Sequence, residues 1–380
     1  MRNTDSITTT HTGSLPRPAD LSQLVWDHDE GREKSEEALR ERIRAAVAET
    51  VDKQREIGLD VINDGEVSKN GFSTYIYERY SGFGPPVEDL STARDLEDFP
   101  EMTERFVDMY PIEHVVMRYC VEPIKLVNPD LVHTDIDNLK AALGDFPVDH
   151  AFMNAPTPGQ ITFNNPNQHY GSHEEYLAAA AEALSYEYKA IIDAGLNLQL
   201  DSPDLAMVGH YRMGPQIEDH MGHIDAAIGA INQALEGLPP ERVRLHLCWG
   251  NYIGPHNHDV PLEEIIGRVF KANVETISFE GANPTHEYEW ELFADKIELP
   301  DDKVIMPGVI DVQNPRIEHP RLVAQRIERF AEKVGRERVI AGTDCGFGTF
   351  VEWNNVPPTI AWAKLKVLVE GAKLASQRLW

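Results

Sequence analysis

Apolar and β-branched residues recur along the chain in short runs, and segments of mixed polarity separate most of these runs. A run of about four to eight such residues is typical of a buried strand. Eight runs can be counted, at residues 6–11, 59–63, 147–153, 197–201, 243–248, 274–279, 303–309 and 338–343. Between most of them, apolar residues return every three or four positions, which is the spacing of one helix face. The clearest predicted helices cover 36–57, 173–194, 223–236, 261–272, 320–334 and 358–378.

The alternation of strands and helices predicts an α/β protein with a parallel sheet. Because eight strands are counted, we expect a (β/α)8 TIM barrel rather than an open doubly wound sheet. The open sheet typically carries a glycine-rich phosphate loop, and neither G-x-G-x-x-G after a first strand nor G-x-x-x-x-G-K-[ST] occurs in the sequence. A chain of 380 residues fits one barrel with insertions, so we predict a single domain over residues 1–380.

One segment interrupts the alternation after the second predicted strand. Residues 82–112 are rich in proline and acidic residues, and a short apolar run follows them at 113–121. We interpret 82–122 as an insertion within the barrel, either a lid or a small hairpin layer.

The charge of the chain argues against several classes of partner. The sequence contains 63 acidic and 35 basic residues, for a net charge of −28. Such a surface repels nucleic-acid phosphates and anionic lipids, so we expect neither nucleic acid nor a membrane as a partner. The sequence has no apolar stretch of about 18 residues and no signal-peptide pattern at its start, which predicts a cytoplasmic protein.

Polar residues stand at the end of nearly every predicted strand. In a barrel the carboxyl ends of the strands and the loops after them form the active site, so these residues predict one convergent site. They are His11 to Ser14, Asp64 to Glu66, Asn154, Asp201, His246 to Cys248, Glu280, Asp311, and Asp344 with Cys345.

Four of these residues form a candidate metal site. His246 and Cys248 are two positions apart on a strand and therefore project to the same face. Cys345 adds a second thiolate from another strand end, and Glu280 adds a carboxylate from a strand between them. Nitrogen and sulfur ligands suit Zn²⁺, which deprotonates a bound thiol at neutral pH.

The remaining cysteine and histidines have simpler interpretations. Cys120 is expected to be a small buried hydrophobic residue. The spacing of His256 and His258 would suit a metal, but both lie in a proline- and glycine-containing loop that favours solvated surface. His286 and His319 are interpreted either as groups that support the site or as surface residues.

With these residues in view, the chain resembles the cobalamin-independent methionine synthases, in particular their catalytic C-terminal barrel. The resemblance runs over nearly the whole length, from TTTHTGSLPRP to AGTDCGFGTF. It implies a zinc site whose ligands lie in HLCWGNY, ISFEG and TDCGFGT, namely His246, Cys248, Glu280 and Cys345.

The same resemblance implies which residues bind the acceptor, homocysteine. The segment GSLP is similar to the family's first-strand turn, whose backbone receives the substrate carboxylate, and this implies Gly13 and Ser14. The segments GLDVINDGE and LQLDSPDLA resemble two motifs whose acidic residues hold the amino group, which implies Glu66 and Asp201.

The chain departs from the family pattern on the side of the methyl donor. GVIDVQNPR has Gln313 where the family has a histidine that delivers a proton, and glutamine cannot act as an acid. Phe163 is the only aromatic residue near the place of a tryptophan that stacks on the folate, and Ser202 replaces an acidic residue. Asp311 or a water is then the candidate proton donor.

We therefore expect a zinc-dependent thiol alkyltransferase, in which the homocysteine thiolate attacks a methyl donor, such as a methyl-folate, to give methionine. The alternative is the reaction of the related epoxyalkane:coenzyme M transferases, in which a zinc-bound thiol opens an epoxide. Glu66 and Asp201 favour homocysteine, because coenzyme M carries a sulfonate and no ammonium group. A structural zinc protein without turnover is a third possibility, since four protein ligands also describe a closed site.

Overall fold

The computed structural model describes residues 2–29, 31–32, 36–87, 93–110, 115–207 and 219–380. Strands β1 and β2 form an antiparallel pair, and strands β3 to β7 form a parallel sheet in chain order. Their bounds are β1 Tyr80–Pro86, β2 Arg118–Leu126, β3 Phe152–Pro156, β4 Asn197–Asp201, β5 Val243–His246, β6 Thr276–Phe279 and β7 Val304–Pro307.

Helices fill the chain between the strands. They are α1 Ala19–Asp29, α2 Glu36–Ile57, α3 Ile76–Arg79, α4 Arg94–Asp98, α5 Pro100–Met109, α6 Pro129–Leu143, α7 Pro158–Asn164, α8 His173–Asp193, α9 Asp204–Met207, α10 His220–Ala234, α11 Leu262–Val269, α12 Leu292–Asp295, α13 Pro320–Val334 and α14 Pro358–Leu379. The predicted helices at 36–57 and 320–334 coincide with α2 and α13. In the part of the chain that the structure describes, no helix is long and apolar enough to cross a membrane.

Helix α8 illustrates how the local sequence defines an element. Ser172 precedes the helix, and its side chain accepts a hydrogen bond from the Glu175 backbone N–H at 3.2 Å. Glu175 in turn accepts from the Gly171 N–H at 3.0 Å, an arrangement close to a capping box. The helix stops just before Gly195, whose φ of +91° favours glycine.

The five-stranded sheet lies in the core and holds the site. Every residue of β3, β5, β6 and β7 is buried, as expected when helices cover a parallel sheet. In-register pairing sets Asp201 of β4 opposite His246 of β5, and His246 opposite Ser278 of β6. The carboxyl ends of these strands therefore lie at one level, where the candidate site residues begin.

The three other predicted strands are extended segments rather than regular strands. Thr9 bridges Ala341 in parallel, Ile62 bridges Ala151 beside β3, and Val339 bridges Ile305 of β7. In these segments, some backbone N–H groups donate to side chains instead of to a neighbouring strand. The Thr9 N–H donates to Asp60 Oδ2 at 2.8 Å, which leaves a shorter ladder than the sequence pattern predicts.

The interruption of the alternation consists of β1, α4, α5 and β2. It is wider than the predicted 82–122, because the hairpin begins at Tyr80 and ends at Leu126. Residues 88–92 and 111–114 of this prediction lie outside the described part of the chain. Arg79, at the foot of the hairpin, is buried between Glu187 of α8, at 2.5 Å, and Asp135 of α6. Glu187 also accepts from the hydroxyls of Tyr75 and Tyr80 at 2.9 and 3.2 Å.

This buried carboxylate gives a stability prediction. Glu187→Gln keeps the shape of the side chain but leaves the buried Arg79 with less compensating charge, so we expect a loss of about 3 kcal/mol in the free energy of unfolding. Urea denaturation followed by circular dichroism measures this change. Glu182→Gln, at an exposed position of the same helix, is the matched control. Equal stabilities of the two variants would contradict the prediction.

Candidate metal centre and substrate pocket

Three of the four predicted metal ligands lie together. His246 ends β5, Cys248 follows two residues later, and Cys345 stands in the loop after residues 338–343. Their ligand atoms all lie within 4.8 Å of one another, and the two Sγ atoms are 3.5 Å apart. The three residues are 2%, 4% and 7% exposed. The structure thus brings two thiols and one imidazole into a single buried group.

The imidazole of His246 is arranged as a neutral ligand. Its Nδ1 lies 3.2 Å from Ser278 Oγ, while its buried Nε2 has no hydrogen-bond partner among the described residues. Burial, with a further contribution from the charge of Arg244, lowers the pKa of His246 to about 3. A neutral ring with one nitrogen engaged keeps the lone pair of the other nitrogen for a cation.

The thiol of Cys248 is held in its protonated form when the group is without a cation. Its hydrogen bond with Cys345, together with burial, raises the pKa of Cys248 well above the usual range. The Gly250 N–H donates to Cys248 Sγ at 3.4 Å. A metal ion would reverse this preference, because a coordinating thiol is deprotonated outright.

Glu280 lies beside the group and is held by two hydrogen bonds. Its Oε1 accepts from the Trp249 backbone N–H at 2.9 Å, and its Oε2 accepts from the Asn283 side chain at 2.7 Å. Burial raises the pKa of Glu280, and the nearby Cys248 raises it further. The carboxylate is not among the three ligand atoms that converge within 4.8 Å.

Asp344 joins the loop of Cys345 to the loop of Glu280. Its Oδ1 accepts from the Gly281 and Ala282 N–H groups at 2.9 and 2.8 Å, and its Oδ2 accepts from the Asn283 side chain at 3.2 Å. Asp344 is among the predicted strand-end residues, whereas Asn283 was not predicted from the sequence. The only local signal for Asn283 is its position three residues after Glu280.

A second group of buried polar side chains contains Glu66 and Asp201. Asp201 accepts from Asn154 Nδ2 at 2.9 Å and from Gln199 Nε2 at 2.7 Å. Glu66 Oε2 lies 3.9 Å from Lys69 Nζ, and no hydrogen bond reaches it from any described residue. Burial raises the pKa of Glu66 to about 8 and that of Asp201 to about 6. We call these side chains the acceptor cluster; within it, Glu66 Oε2 keeps unused hydrogen-bonding capacity.

The backbone around Glu66 is unusual. Its φ is +55°, and the preceding Gly65 has a φ of +69°. A glutamate in this region is strained, and such strain is concentrated at functional sites. Lys69, three residues later, donates to the Asn154 carbonyl at 2.7 Å and was not singled out from the sequence.

Gly13 and Ser14 lie between the acceptor cluster and the loop of Cys345. A Cβ at Gly13, whose φ is +142°, would fall 2.3 Å from Asn154 Nδ2. A Cβ at Gly346, next to Cys345, would fall 2.0 Å from Ser14 Oγ. The predicted acceptor residues are thus close to the thiol group through direct backbone approach.

Asp311 lies in the loop after β7. Its Oδ1 accepts from the Gln313 N–H at 2.9 Å, and its carbonyl accepts from Lys364 Nζ at 2.9 Å. Gln313 donates its side-chain amide to the Gly250 carbonyl at 3.2 Å, two residues beyond Cys248. Gln313 therefore reaches the loop of the thiol group, whereas the Asp311 carboxylate turns back to its own loop.

One sequence interpretation is wrong. His256 was expected to lie at the solvated surface, but it is 7% exposed, because its backbone N–H and the hydroxyl of Tyr252 both donate to Asp95 of α4.

The structure also describes the other two histidines and the third cysteine. His286 is also buried. His319 caps α13 and accepts from the Arg321 N–H at 3.1 Å. Cys120 is buried, as predicted.

Comparisons with known proteins place these features in a family. The family described as cobalamin-independent synthase, catalytic domain, matches residues 6–88 and 159–373, and the chain therefore belongs to it. The protein is accordingly a methyltransferase enzyme. Methionine synthase of Sulfurisphaera tokodaii is 25% identical over 98% of this chain and 93% of its own. The Saccharolobus solfataricus methionine synthase is 26% identical over 98% and 95%.

Solved structures agree on the fold. A B12-independent methionine synthase from a Shewanella species, in complex with selenomethionine, has a TM-score of 0.70 at 22% identity, over 98% of this chain and 99% of its own. A putative vitamin-B12 independent methionine synthase from Listeria monocytogenes has a TM-score of 0.65 at 20% identity over the same shares. At these identities the likeness establishes the architecture alone.

The close approach at Gly13 gives a prediction on packing. Gly13→Ala places a Cβ against Asn154 at a backbone conformation that alanine rarely adopts, so we expect about 1–3 kcal/mol of lost stability in urea denaturation. Gly229→Ala is the control, because no described atom lies within 4 Å of its Cβ position, and alanine favours the α10 helix. Unchanged stability of Gly13→Ala would contradict the prediction.

Proposed function

We propose that this methyltransferase uses Zn²⁺ to transfer a methyl group to the sulfur of homocysteine, forming methionine. The observation that carries the proposal is the buried group of His246, Cys248 and Cys345, whose imidazole keeps one nitrogen without a partner among the described residues. Two soft sulfur ligands and one neutral imidazole suit Zn²⁺. Bound there, the ion would supply a substrate thiolate at neutral pH, where a free thiol with a pKa of about 8.5 is mostly protonated.

Glu280 is the fourth ligand in this proposal. Each of its oxygens accepts one hydrogen bond and keeps a further lone pair, so it can face a cation without losing its anchors. A carboxylate is the hardest ligand of the set and the one that an incoming sulfur displaces most readily. An open or exchangeable position distinguishes a catalytic zinc site from a structural one.

The acceptor cluster of Glu66 and Asp201 favours an amino acid as the acceptor. The buried Glu66 Oε2 lacks a hydrogen-bond donor among the described residues, and a substrate ammonium group would provide one. Such an ammonium group would also favour the charged form of Glu66, whose pKa burial raises to about 8. Gly13 and Ser14 would receive the substrate carboxylate through their backbone. Coenzyme M offers no ammonium group to Glu66 and Asp201.

The methyl transfer also requires a proton for the leaving group. The sulfur lone pair forms the new S–C bond, and the electron pair of the breaking bond stays with the leaving atom of the donor, which is then protonated. Gln313 has no acidic proton, and its side-chain amide donates to the Gly250 carbonyl in the loop of Cys248. We assign the proton to Asp311 or to a water, with a methyl-folate or another methyl compound as the donor.

The proposal includes the closure of the sheet and a cover over the site. The bridges from Ala151 to Ile62 and from Thr9 to Ala341 support a closed (β/α)8 barrel within a single domain of residues 1–380. The segment 82–122 would act as a lid. In support, Tyr110 Oη donates to Asn355 and accepts from the Ile253 N–H, which links this segment to the chain that follows each of the two cysteines.

Metal analysis tests the centre. We expect close to one zinc per chain in the purified protein, and loss of most of it in Cys248→Ser and Cys345→Ser, because serine is a poor ligand for zinc at neutral pH. Cys120→Ser removes the third cysteine and should keep the metal. Stoichiometric zinc in both of the first two variants would rule out this site.

Thiol binding tests the acceptor. Glu66→Gln should weaken homocysteine binding about 10- to 100-fold in calorimetric titration, because an amide replaces a charged partner of the ammonium group. Zinc content should not change. 4-Mercaptobutanoate, which lacks the amino group, provides the matched control and should bind the variant and the unaltered protein equally. Tighter binding of coenzyme M than of homocysteine would favour epoxide opening instead.

A further inference from the structure

A cluster of four charged side chains lies in the loops that follow Cys248 and Glu280 and is not used by the proposed chemistry. We call His256, Asp259, His286 and Glu289 the histidine–carboxylate network. Their side chains are between 2% and 7% exposed. His256 and Asp259 belong to the loop that begins with Cys248, while His286 and Glu289 belong to the loop that begins at Glu280. The network therefore joins the two loops that carry neighbouring ligands.

His286 is an imidazolium in this arrangement. Its Nδ1 lies 3.1 Å from Glu289 Oε2, and its Nε2 lies 3.2 Å from Asp259 Oδ2. A ring nitrogen without a proton would direct its lone pair at a carboxylate oxygen, so both nitrogens must carry protons. Burial by itself lowers the pKa of His286, but the hydrogen bonds to Asp259 and Glu289 outweigh it and raise this pKa to about 10.

His256 completes the charge balance. Its Nδ1 lies 3.0 Å from Asp259 Oδ2, and its Nε2 lies 3.1 Å from the Tyr252 carbonyl. Both partners are acceptors, so this ring also carries two protons. Two imidazolium rings then face two carboxylates, which makes the buried network neutral. A neutral and fully bonded network of this kind is rigid.

Trp249 connects the network to the centre. Its ring centroid lies 4.2 Å from that of His286, and its Nε1 donates to the Val260 carbonyl at 2.7 Å. Trp249 directly follows Cys248, and its backbone N–H is the donor that holds Glu280 Oε1. The side-chain contacts of Trp249 therefore restrain a residue whose backbone adjoins Cys248 and holds Glu280.

We propose that His286 is a positioning residue of the metal centre: with Asp259 and Glu289 it fixes Trp249, and thereby sets the orientation of Glu280 and the affinity for Zn²⁺. This inference rests on the proposed zinc function. The network also contacts the start of α11, because Glu289 Oε1 accepts a hydrogen bond from the Leu262 N–H at 2.8 Å. Partners that orient ligands typically change metal affinity by about 10- to 100-fold when they are removed.

The test measures zinc affinity by competition with a chromophoric chelator. We expect His286→Gln, which lacks the charge and has only one donor nitrogen, to weaken zinc binding about 10- to 100-fold. Glu289→Gln keeps an oxygen for the Leu262 N–H but removes the negative charge, and should weaken binding in the same direction. His258→Gln is the matched control, since this histidine lies in the same loop and bonds to Asp98 outside the network.

Spectra of the Co²⁺-substituted proteins separate positioning from general stability. Changed d–d bands in His286→Gln indicate a reoriented Glu280, whereas lower affinity with an unchanged spectrum indicates only a less stable fold and overturns the inference. Unchanged affinity in both folded network variants also overturns it. If His286→Gln does not fold, the zinc affinity and the Co²⁺ spectrum of Glu289→Gln test the inference in its place. Absence of zinc from the unaltered protein would refute the proposed function itself, and the inference with it.

Discussion

The in-register parallel pairing of β4, β5 and β6 is the constraint on which the site depends. It sets Asp201, His246 and Ser278 at one level, so that the loops leaving these strands begin side by side. The imidazole is then oriented by a hydroxyl of the next strand, and Cys248 is placed two residues further along the same chain. Because backbone hydrogen bonds fix the strand ends, side chains at or just after these ends are held close to one another.

Buried polar groups need hydrogen-bond partners and balancing charges, and the groups in this site differ in how far they have them. The histidine–carboxylate network balances its charges internally, and its hydrogen bonds are satisfied. In contrast, His246 Nε2 and Glu66 Oε2 are buried without hydrogen-bond partners among the residues described. An unsatisfied buried polar atom costs about 1–3 kcal/mol, so a ligand that satisfies these atoms gains that free energy on binding. In the proposed function, His246 Nε2 would bind a cation and Glu66 Oε2 would accept a hydrogen bond from the substrate, whereas the satisfied network would hold the surrounding loops.

The sequence predicts this architecture where local patterns decide it and fails where distant contacts decide it. Helices α2 and α13 follow from the periodicity of their apolar residues, and the grouping of Cys248 with Cys345 follows from their positions at strand ends. His256 was misread, because its loop looks solvated until Asp95 of the distant α4 binds it. The segment at 6–11 was expected to form a regular strand, but a side chain, Asp60, takes one of its ladder bonds. Neither contact leaves a signal in the nearby sequence.

The two sides of the site differ in how their side chains are used, and this difference bears on the reaction. On the acceptor side, Glu66 retains an unused oxygen in a strained backbone, which is the arrangement of a group reserved for a ligand. On the donor side, the amide of Gln313 is already bonded to Gly250 and so stabilises the loop of Cys248. A residue engaged in holding a loop is not free to follow a leaving group. This contrast fits the proposed function, in which Glu66 contributes to binding the thiol substrate, and Asp311 or a water, rather than Gln313, protonates the leaving group.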